Sequence, residues 1–240
     1  MRIAVLSDIH GNLPALEAVL AAVTPYDAVW QLGDVVGYGP QPDEVVARLA
    51  AEHALGVRGN HDSAAIGQLD TDSFNDDART ALEWTAARIA PQTRDWLSAL
   101  PLRSVDEPFT LVHGSPRDPT WEYVYSASIA RANLTAFTTR HCLVGHTHIP
   151  LVLRQRGARM EGIRVTDGQT YALGEDRLFI NPGSVGQPRD GDPRASAMIL
   201  DTDAQRLEWR RVEYPVAQVQ HLMAQSDLPQ RLITRLEFGL

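Results

Sequence analysis

Arg2-Ile3-Ala4-Val5-Leu6-Ser7-Asp8-Ile9-His10 opens the chain with a short apolar run that ends on two side chains able to bind a metal. The unbroken stretch Ile3 to Leu6, with turn-prone residues behind it, reads as a strand buried on both faces, the pattern of a parallel sheet. A helix is expected next: Leu13, Leu16, Val19, Leu20 and Val23 fall at helical spacing, and Pro14 is tolerated in a first turn. The alternation then repeats. Ala28 to Leu32 is a second apolar run, ending in Gly33-Asp34, and a helix is expected from about Pro42 to Glu52. A third short strand near Leu55 to Val57 ends in Arg58-Gly59-Asn60-His61-Asp62. Strand, helix, strand, helix, strand is the signature of an α/β fold with a parallel sheet, in which ligands bind at the carboxyl ends of the strands.

Outward from this unit, a helical pattern runs from Asp76 to about Leu100, with Pro91 breaking it. Strands are expected at Phe109 to Val112, Cys142 to Val144, Pro150 to Leu153, Ile163 to Val165, Tyr171 to Leu173 and Leu178 to Ile180. Ala197 to Asp201 and Arg206 to Val212, separated by a polar Thr202-Asp203 turn, read as a hairpin, and the residues from Pro215 as a helix or two. No linker or repeat interrupts the chain. A single domain over residues 1–240 is expected, with the hairpin and helical tail, about 197–240, packed on it.

Bulk composition narrows the function. The 240 residues are 44% hydrophobic and 22% charged, which fits a globular protein with a sizeable core. A net charge of -8 repels nucleic acid and anionic membrane as bulk partners, yet permits a small anionic substrate at a local metal site. All 22 basic residues are arginine, which excludes Schiff-base catalysis and a phosphate-binding lysine of the Walker type. Cys142 is the only cysteine, so no intramolecular disulfide and no thiolate metal cage is available. No run approaches the ~18 apolar residues of a membrane span, and the apolar start meets Asp8 too soon for a signal peptide. A cytoplasmic protein is expected.

The chemistry lies in the residues just behind the strands. Asp8-x-His10 and His146-x-His148 are paired two apart, Asp34 comes after a strand and a glycine, Asn60 sits in Gly59-Asn60-His61-Asp62, and His113 precedes Gly114. Five of the eight histidines, His10, His61, His113, His146 and His148, lie behind expected strands beside glycine, aspartate or another histidine. Histidines scattered for packing alone would not cluster in this way. His53 and His141 stand outside the pattern and read as ordinary surface or core residues. Oxygen and imidazole ligands without sulfur suit Mn²⁺, Fe²⁺, Zn²⁺, Co²⁺ or Ni²⁺ rather than calcium.

Asp8-Ile9-His10, Gly33-Asp34-Val35-Val36-Gly37, Gly59-Asn60-His61-Asp62, His113-Gly114 and Gly145-His146-Thr147-His148 resemble the five blocks of the calcineurin-like metallophosphoesterases, in order and with similar spacing. Asn181 to Arg189 resembles a segment of the family's compact bacterial and archaeal branch, which extends the likeness to about residue 200. The resemblance implies a four-layer α/β/β/α sandwich of two mixed sheets flanked by helices. It also implies two divalent ions, Mn²⁺ foremost. Asp8, His10, Asp34 and His148 would hold one, with Asp34 bridging, and Asn60, His113 and His146 would complete the other. Two dications about 3.5–4 Å apart need such an anion between them, and a water bridging them is hydroxide near neutral pH, ready to attack phosphorus in line with the leaving oxygen.

His61 is then the natural general acid, with Asp62 as its orienting partner. Arg58 resembles a phosphate-contacting arginine of the protein-phosphatase branch, and Arg189 or Gln187 is a candidate for substrate contact. The roles of Tyr38, Trp121 and Tyr123 stay open. The expected substrate is a small phosphate ester, a diester or a monoester. Dinucleoside polyphosphates and phosphoproteins are the alternatives within the family, and a non-catalytic scaffold is the alternative outside catalysis.

Overall fold

The computed structural model describes all of residues 1–240. Strand β1 (Arg2–Leu6) leads through helix α1 (Leu13–Val23) to β2 (Ala28–Gln31), then through α2 (Pro42–Ala51) to β3 (Leu55–Gly56). Three helices come next, α3 (Asn60–Ala65), α4 (Asp76–Arg88) and α5 (Pro91–Ala99). They lead into β4 (Arg103–Asp106), β5 (Phe109–Val112), α6 (Ala127–Asn133) and β6 (His141–Leu143). The chain closes with β7 (Leu151–Arg156), β8 (Arg159–Ile163), β9 (Thr170–Ala172), β10 (Leu178–Asn181), β11 (Ala195–Asp201), β12 (Arg206–Val212), α7 (Val216–Gln225) and α8 (Gln230–Arg235). The helices start where the sequence provides caps or a proline: Asn12 caps α1 through the Ala15 N–H, Asn75 caps α4 through the Ala78 N–H, and Pro91 begins α5.

These strands form two six-stranded mixed sheets, ordered β3-β2-β1-β11-β12-β9 and β4-β5-β6-β10-β7-β8. Period-two alternation assigns their faces. Ile3, Val5, Trp30, Met198, Leu200 and Trp209 of the first sheet meet Phe109, Leu111, Leu143, Leu178 and Ile180 of the second, and this cluster is the central layer of the core. The intervening residues Ala4, Leu6, Val29, Ala197 and Ile199 face outward against α1, α2, α4, α5, α7 and α8. On the far side Val112, Cys142, Val144 and Phe179 face outward beneath α6. The architecture is the expected four-layer α/β/β/α sandwich, and Cys142 is the buried strand residue that its flanks predicted.

Four elements differ from expectation. The C-terminal hairpin is not laid onto a finished domain: β11 pairs with β1 along Arg2 to Val5, so it supplies the middle of the first sheet. The strand expected at Ile163 to Val165 lies earlier, in β8, where charged residues of the solvent-facing β7–β8 hairpin mask the alternation. Edge strand β4 carries one apolar residue, Val105, and therefore leaves no hydrophobic pattern. Helix α3 begins at Asn60 itself, so the Asn60-His61-Asp62 block is a first helical turn and not a loop.

Phe109 is buried at the meeting of the two sheets, edge-on to Trp30 at 5.8 Å between ring centroids. Phe109→Ala is expected to cost about 3–5 kcal/mol, read as a lower urea midpoint at unchanged slope.

Candidate metal centre

The parallel strands β1, β2 and β3 of one sheet and β5, β6 and β10 of the other end on the same edge of the sandwich. Every candidate ligand lies just past one of these ends. Asp8 and His10, two apart behind β1, do not lie in extended chain. Asp8, His10, Asp34, His146 and His148 all adopt left-handed backbone, with φ of 52°, 50°, 51°, 65° and 59°. Each such non-glycine residue costs of order 1–3 kcal/mol and persists only where its surroundings enforce it. Here the loop behind β1 is laced to the loop behind β2: Asp8 N donates to Gly33 O, His10 N to Asp34 O and Gly11 N to Val35 O, at 2.9–3.1 Å.

Two glycines let the remaining pieces approach. A Cβ on Gly59 would lie 2.1 Å from Asp34 Oδ1, and one on Gly37 would lie 2.6 Å from His61 Nδ1. Without them α3 could not seat against the Asp34 loop.

The geometry divides the buried side chains into two groups that share one residue. The ligand atoms of Asp8, His10, Asp34 and His148 lie within 4.8 Å of one another, and so do those of Asp34, His113 and His146. The sharing is by a single atom. Asp34 Oδ1 accepts the His61 N–H at 2.9 Å, while Oδ2 lies 3.7 Å from His10 Nε2 and 3.2 Å from His113 Nε2. Asn60 Oδ1 joins the second group, 3.0 Å from His113 Nε2.

Backbone carbonyls set the histidine tautomers. His10 Nδ1 donates to Val36 O at 3.2 Å, His113 Nδ1 to Leu32 O at 2.8 Å and His148 Nδ1 to Gln187 O at 2.6 Å. A carbonyl only accepts, so each Nε2 faces the centre, the arrangement that outer partners impose on metal-binding imidazoles. The neutral His10 and His148 rings thus bring two Nε2 lone pairs within 3.2 Å of each other. That contact is repulsive unless a cation lies between them, and this donor set fits a divalent ion. His146 is reversed: its Nδ1 faces His113 at 3.1 Å, its Nε2 has no protein partner, and its ring stacks on Tyr123 at 3.8 Å.

Electrostatics prepares the same groups. Burial holds His10 and His148 well below the ordinary imidazole value and His146 at about 3, so all three are neutral and free to ligate. Burial likewise raises Asp8 to about 7, and His113 opposes it. For Asp34, burial pushes upward, but the facing His113 above all outweighs it and holds the carboxyl well below its usual range. Burial lowers His113, and the facing Asp34 more than reverses this, leaving it at about 9. In the metal-free protein His113 is therefore an imidazolium near neutral pH, and metal must displace its proton.

The catalytic and substrate-contact expectations separate. His61 is buried beside the ligands, its ring 4.9 Å from His10, 4.4 Å from Tyr38 and 5.1 Å from Phe74. Asp62 does not orient it. The Asp62 carboxylate accepts the Val36 and Gly59 N–H groups, both at 3.0 Å, and His61 Nδ1 has no partner. The reason is helical: neighbours along a helix diverge, and only residues three or four apart share a face. Arg58 also points elsewhere, toward Ser63 Oγ at 3.1 Å and the Ser98 carbonyl at 3.3 Å on α5. Arg189 does reach the cleft, its guanidinium 5.7 Å over the Tyr38 ring and 2.9 Å from Gln187 Oε1.

A cavity of about 110 Å³ opens onto the ligands between His61, Tyr38 and Arg189 on one side and Phe74, Trp121 and Tyr123 on the other. The sequence left these aromatic residues unassigned. The one signal for Tyr38 was its place between Gly37 and Gly39, and no spacing could reveal that Phe74 and Trp121 would meet along one wall of the cleft, their ring centroids 5.0 Å apart.

Two oxygen and imidazole clusters sharing a carboxylate, at the strand ends of a four-layer sandwich, define a metal-dependent phosphoric ester hydrolase. The chain belongs to the calcineurin-like phosphoesterase superfamily, whose domain matches residues 1–205. It is similar to a metallophosphoesterase from Sphaerobacter thermophilus, at 47% identity and a TM-score of 0.93 over 100% of this chain and 99% of that one. An uncharacterised protein of Methanocaldococcus jannaschii is 35% identical over 99% of this chain and 98% of its own length. The phosphodiesterase YfcE of Escherichia coli is 32% identical, over 85% and 89% respectively.

Asp34→Asn is expected to remove bound metal and activity together, read by elemental analysis and ester hydrolysis on one preparation. Because His113 at about 9 must lose a proton to ligate, metal affinity is expected to fall with pH, by about one log unit per unit between pH 9 and 7. Below pH 7 the fall steepens as Asp8 also protonates. Titration calorimetry in buffers of different ionisation enthalpy counts the released protons.

Proposed function

We propose that this chain hydrolyses small phosphate esters, phosphodiesters foremost, with two divalent transition-metal ions of which Mn²⁺ is the first candidate. The observation that carries the reading is Asp34 Oδ2, one oxygen facing both ligand groups. When bound, two such ions supply Lewis acidity to the phosphoryl oxygens and a nucleophilic water near neutral pH. Asp8, His10, Asp34 and His148 would hold one ion; Asp34, Asn60, His113 and His146 would hold the other. Asn60 adds an oxygen donor without adding charge, which limits repulsion from the phosphate.

The chain's own groups complete the chemistry. Arg189 has no carboxylate partner and lines the cavity above the ligands, where its guanidinium can hold a non-bridging oxygen in a charge-assisted hydrogen bond. His61 protonates the leaving oxygen. Burial lowers this imidazole to about 4 despite the pull of Asp34, so the free enzyme holds it neutral. A phosphate anion seated beside it favours the imidazolium and reverses that balance. Phe74, Trp121 and Tyr123 offer an apolar wall to the organic part of the ester. The likeness to YfcE over most of both chains favours a diester, and the complete ligand set favours an enzyme over a scaffold.

Chelator-stripped protein given Mn²⁺ is expected to cleave bis-p-nitrophenyl phosphate faster than p-nitrophenyl phosphate. A reversed preference would replace diester by monoester, and failure to cleave either with metal bound would overturn the reading. His61→Ala is expected to cost about 10²–10⁴-fold on alkyl esters and much less on p-nitrophenyl esters, whose leaving group needs no proton. Equal losses would show that His61 positions the phosphate instead.

A further inference from the structure

A second, larger cavity of about 520 Å³ adjoins the first and shares Tyr38, Asn75 and Arg189 with it. Its far wall is helix α8. Arg231 and Arg235 are four residues apart and so project from one face of that helix; Leu232 lies beside them in the lining, and Ile233 and Leu236 bury the far side in the core. Three guanidiniums, from Arg189, Arg231 and Arg235, thus line one hollow together with Asn75, the cap of α4.

Their counter-charge is incomplete. Asp76 and Asp77 also line the hollow, but Asp76 lies 3.6 Å from Arg79 and Asp77 lies 4.0 Å from Arg231. Neither Arg189 nor Arg235 has an Asp or Glu oxygen within 4.0 Å. Arg235 Nε donates to a main-chain oxygen of Leu240, and Arg189 Nε is buried without a partner. Burial first, and then repulsion from Arg189, lowers the Arg235 guanidinium to about 10. Arg189 and Arg235, partly buried cations that repel one another beside an open hollow, are stabilised by an anion that enters it, and the exposed Arg231 adds to that attraction.

We propose that this hollow is a subsite for a second phosphate on the substrate, so that the preferred esters carry one phosphoryl group at the metals and another anionic phosphate against Arg231 and Arg235. The proposal rests on the phosphoesterase reading of the adjoining centre and adds the substrate class to it. The shared walls Tyr38 and Arg189 make the two cavities one cleft, and the -8 charge of the whole chain leaves this hollow as a local exception that selects for anions.

A matched pair of esters tests it: thymidine 5′-(p-nitrophenyl phosphate) and the same compound bearing a 3′-phosphate, with Mn²⁺-loaded full-length protein. The added phosphate is expected to lower KM about tenfold, the worth of one or two charge-assisted hydrogen bonds. In Arg235→Gln and in Arg231→Gln that advantage shrinks, while kinetics on the ester without the 3′-phosphate are unchanged. A second readout needs no turnover: inorganic pyrophosphate is expected to raise the melting temperature of metal-stripped wild type, and to raise that of Arg235→Gln much less. Wild type that treats both esters alike, a variant that loses equally on both, or pyrophosphate shifts that match in the two proteins would each overturn the subsite. Cleavage of bis-p-nitrophenyl phosphate in the same preparation would show that the phosphoesterase reading stands even then.

Discussion

Asp34 is a carboxylate buried among histidines, and the molecule is arranged to keep it ionised there. Isolated in such a place it would take up a proton, because burial penalises its charged form. The facing His113 imidazolium reverses that outcome, and the backbone N–H of His61 fixes its second oxygen. One oxygen is thereby left facing two groups of ligands. The position of Asp34 is in turn a consequence of β2 ending at Gln31, of the glycine before it, and of the loop behind β1 that is tied to it.

The surrounding backbone explains why so much conformational cost gathers at one edge. Five candidate ligand residues in left-handed backbone are tolerable because strands on either side anchor their loops, and because Gly37 and Gly59 leave room for α3. Asp62, adjacent to the catalytic candidate in sequence, serves this packing: it ties α3 to the Asp34 loop through Val36 and to its own first turn through Gly59. A residue within a catalytic motif here supports the site without facing it.

The rim of the site is assembled from distant parts of the chain. Tyr38 comes from the loop after β2, Phe74 from just before α4, Trp121 and Tyr123 from the loop after β5, and Arg189 from the loop after β10. The C-terminal helix α8 adds Arg231 and Arg235 to the wall beyond. Metal chemistry is thus held by strand ends, whereas the surroundings of the substrate are set by loops and helices that vary more freely.

The four-layer class came from resemblance to a family; the sequence's own pattern determined the alternating strand and helix order and the seven ligand candidates. Each of these is written locally, in an apolar run and in the polar residues directly behind it. Cys142 as a buried strand residue was legible for the same reason. Local pattern could not reveal that β11 would sit beside β1, because strand pairing joins residues some two hundred positions apart. Nor could it turn Arg58 and Asp62 away from the substrate, since helical geometry and the hydrogen-bond partners on α5 and the Asp34 loop decide where those side chains go. Only the tertiary structure brought the aromatic wall and the three arginines to one cleft, because residues far apart in sequence meet there through the packing of layers, which no spacing along the chain records.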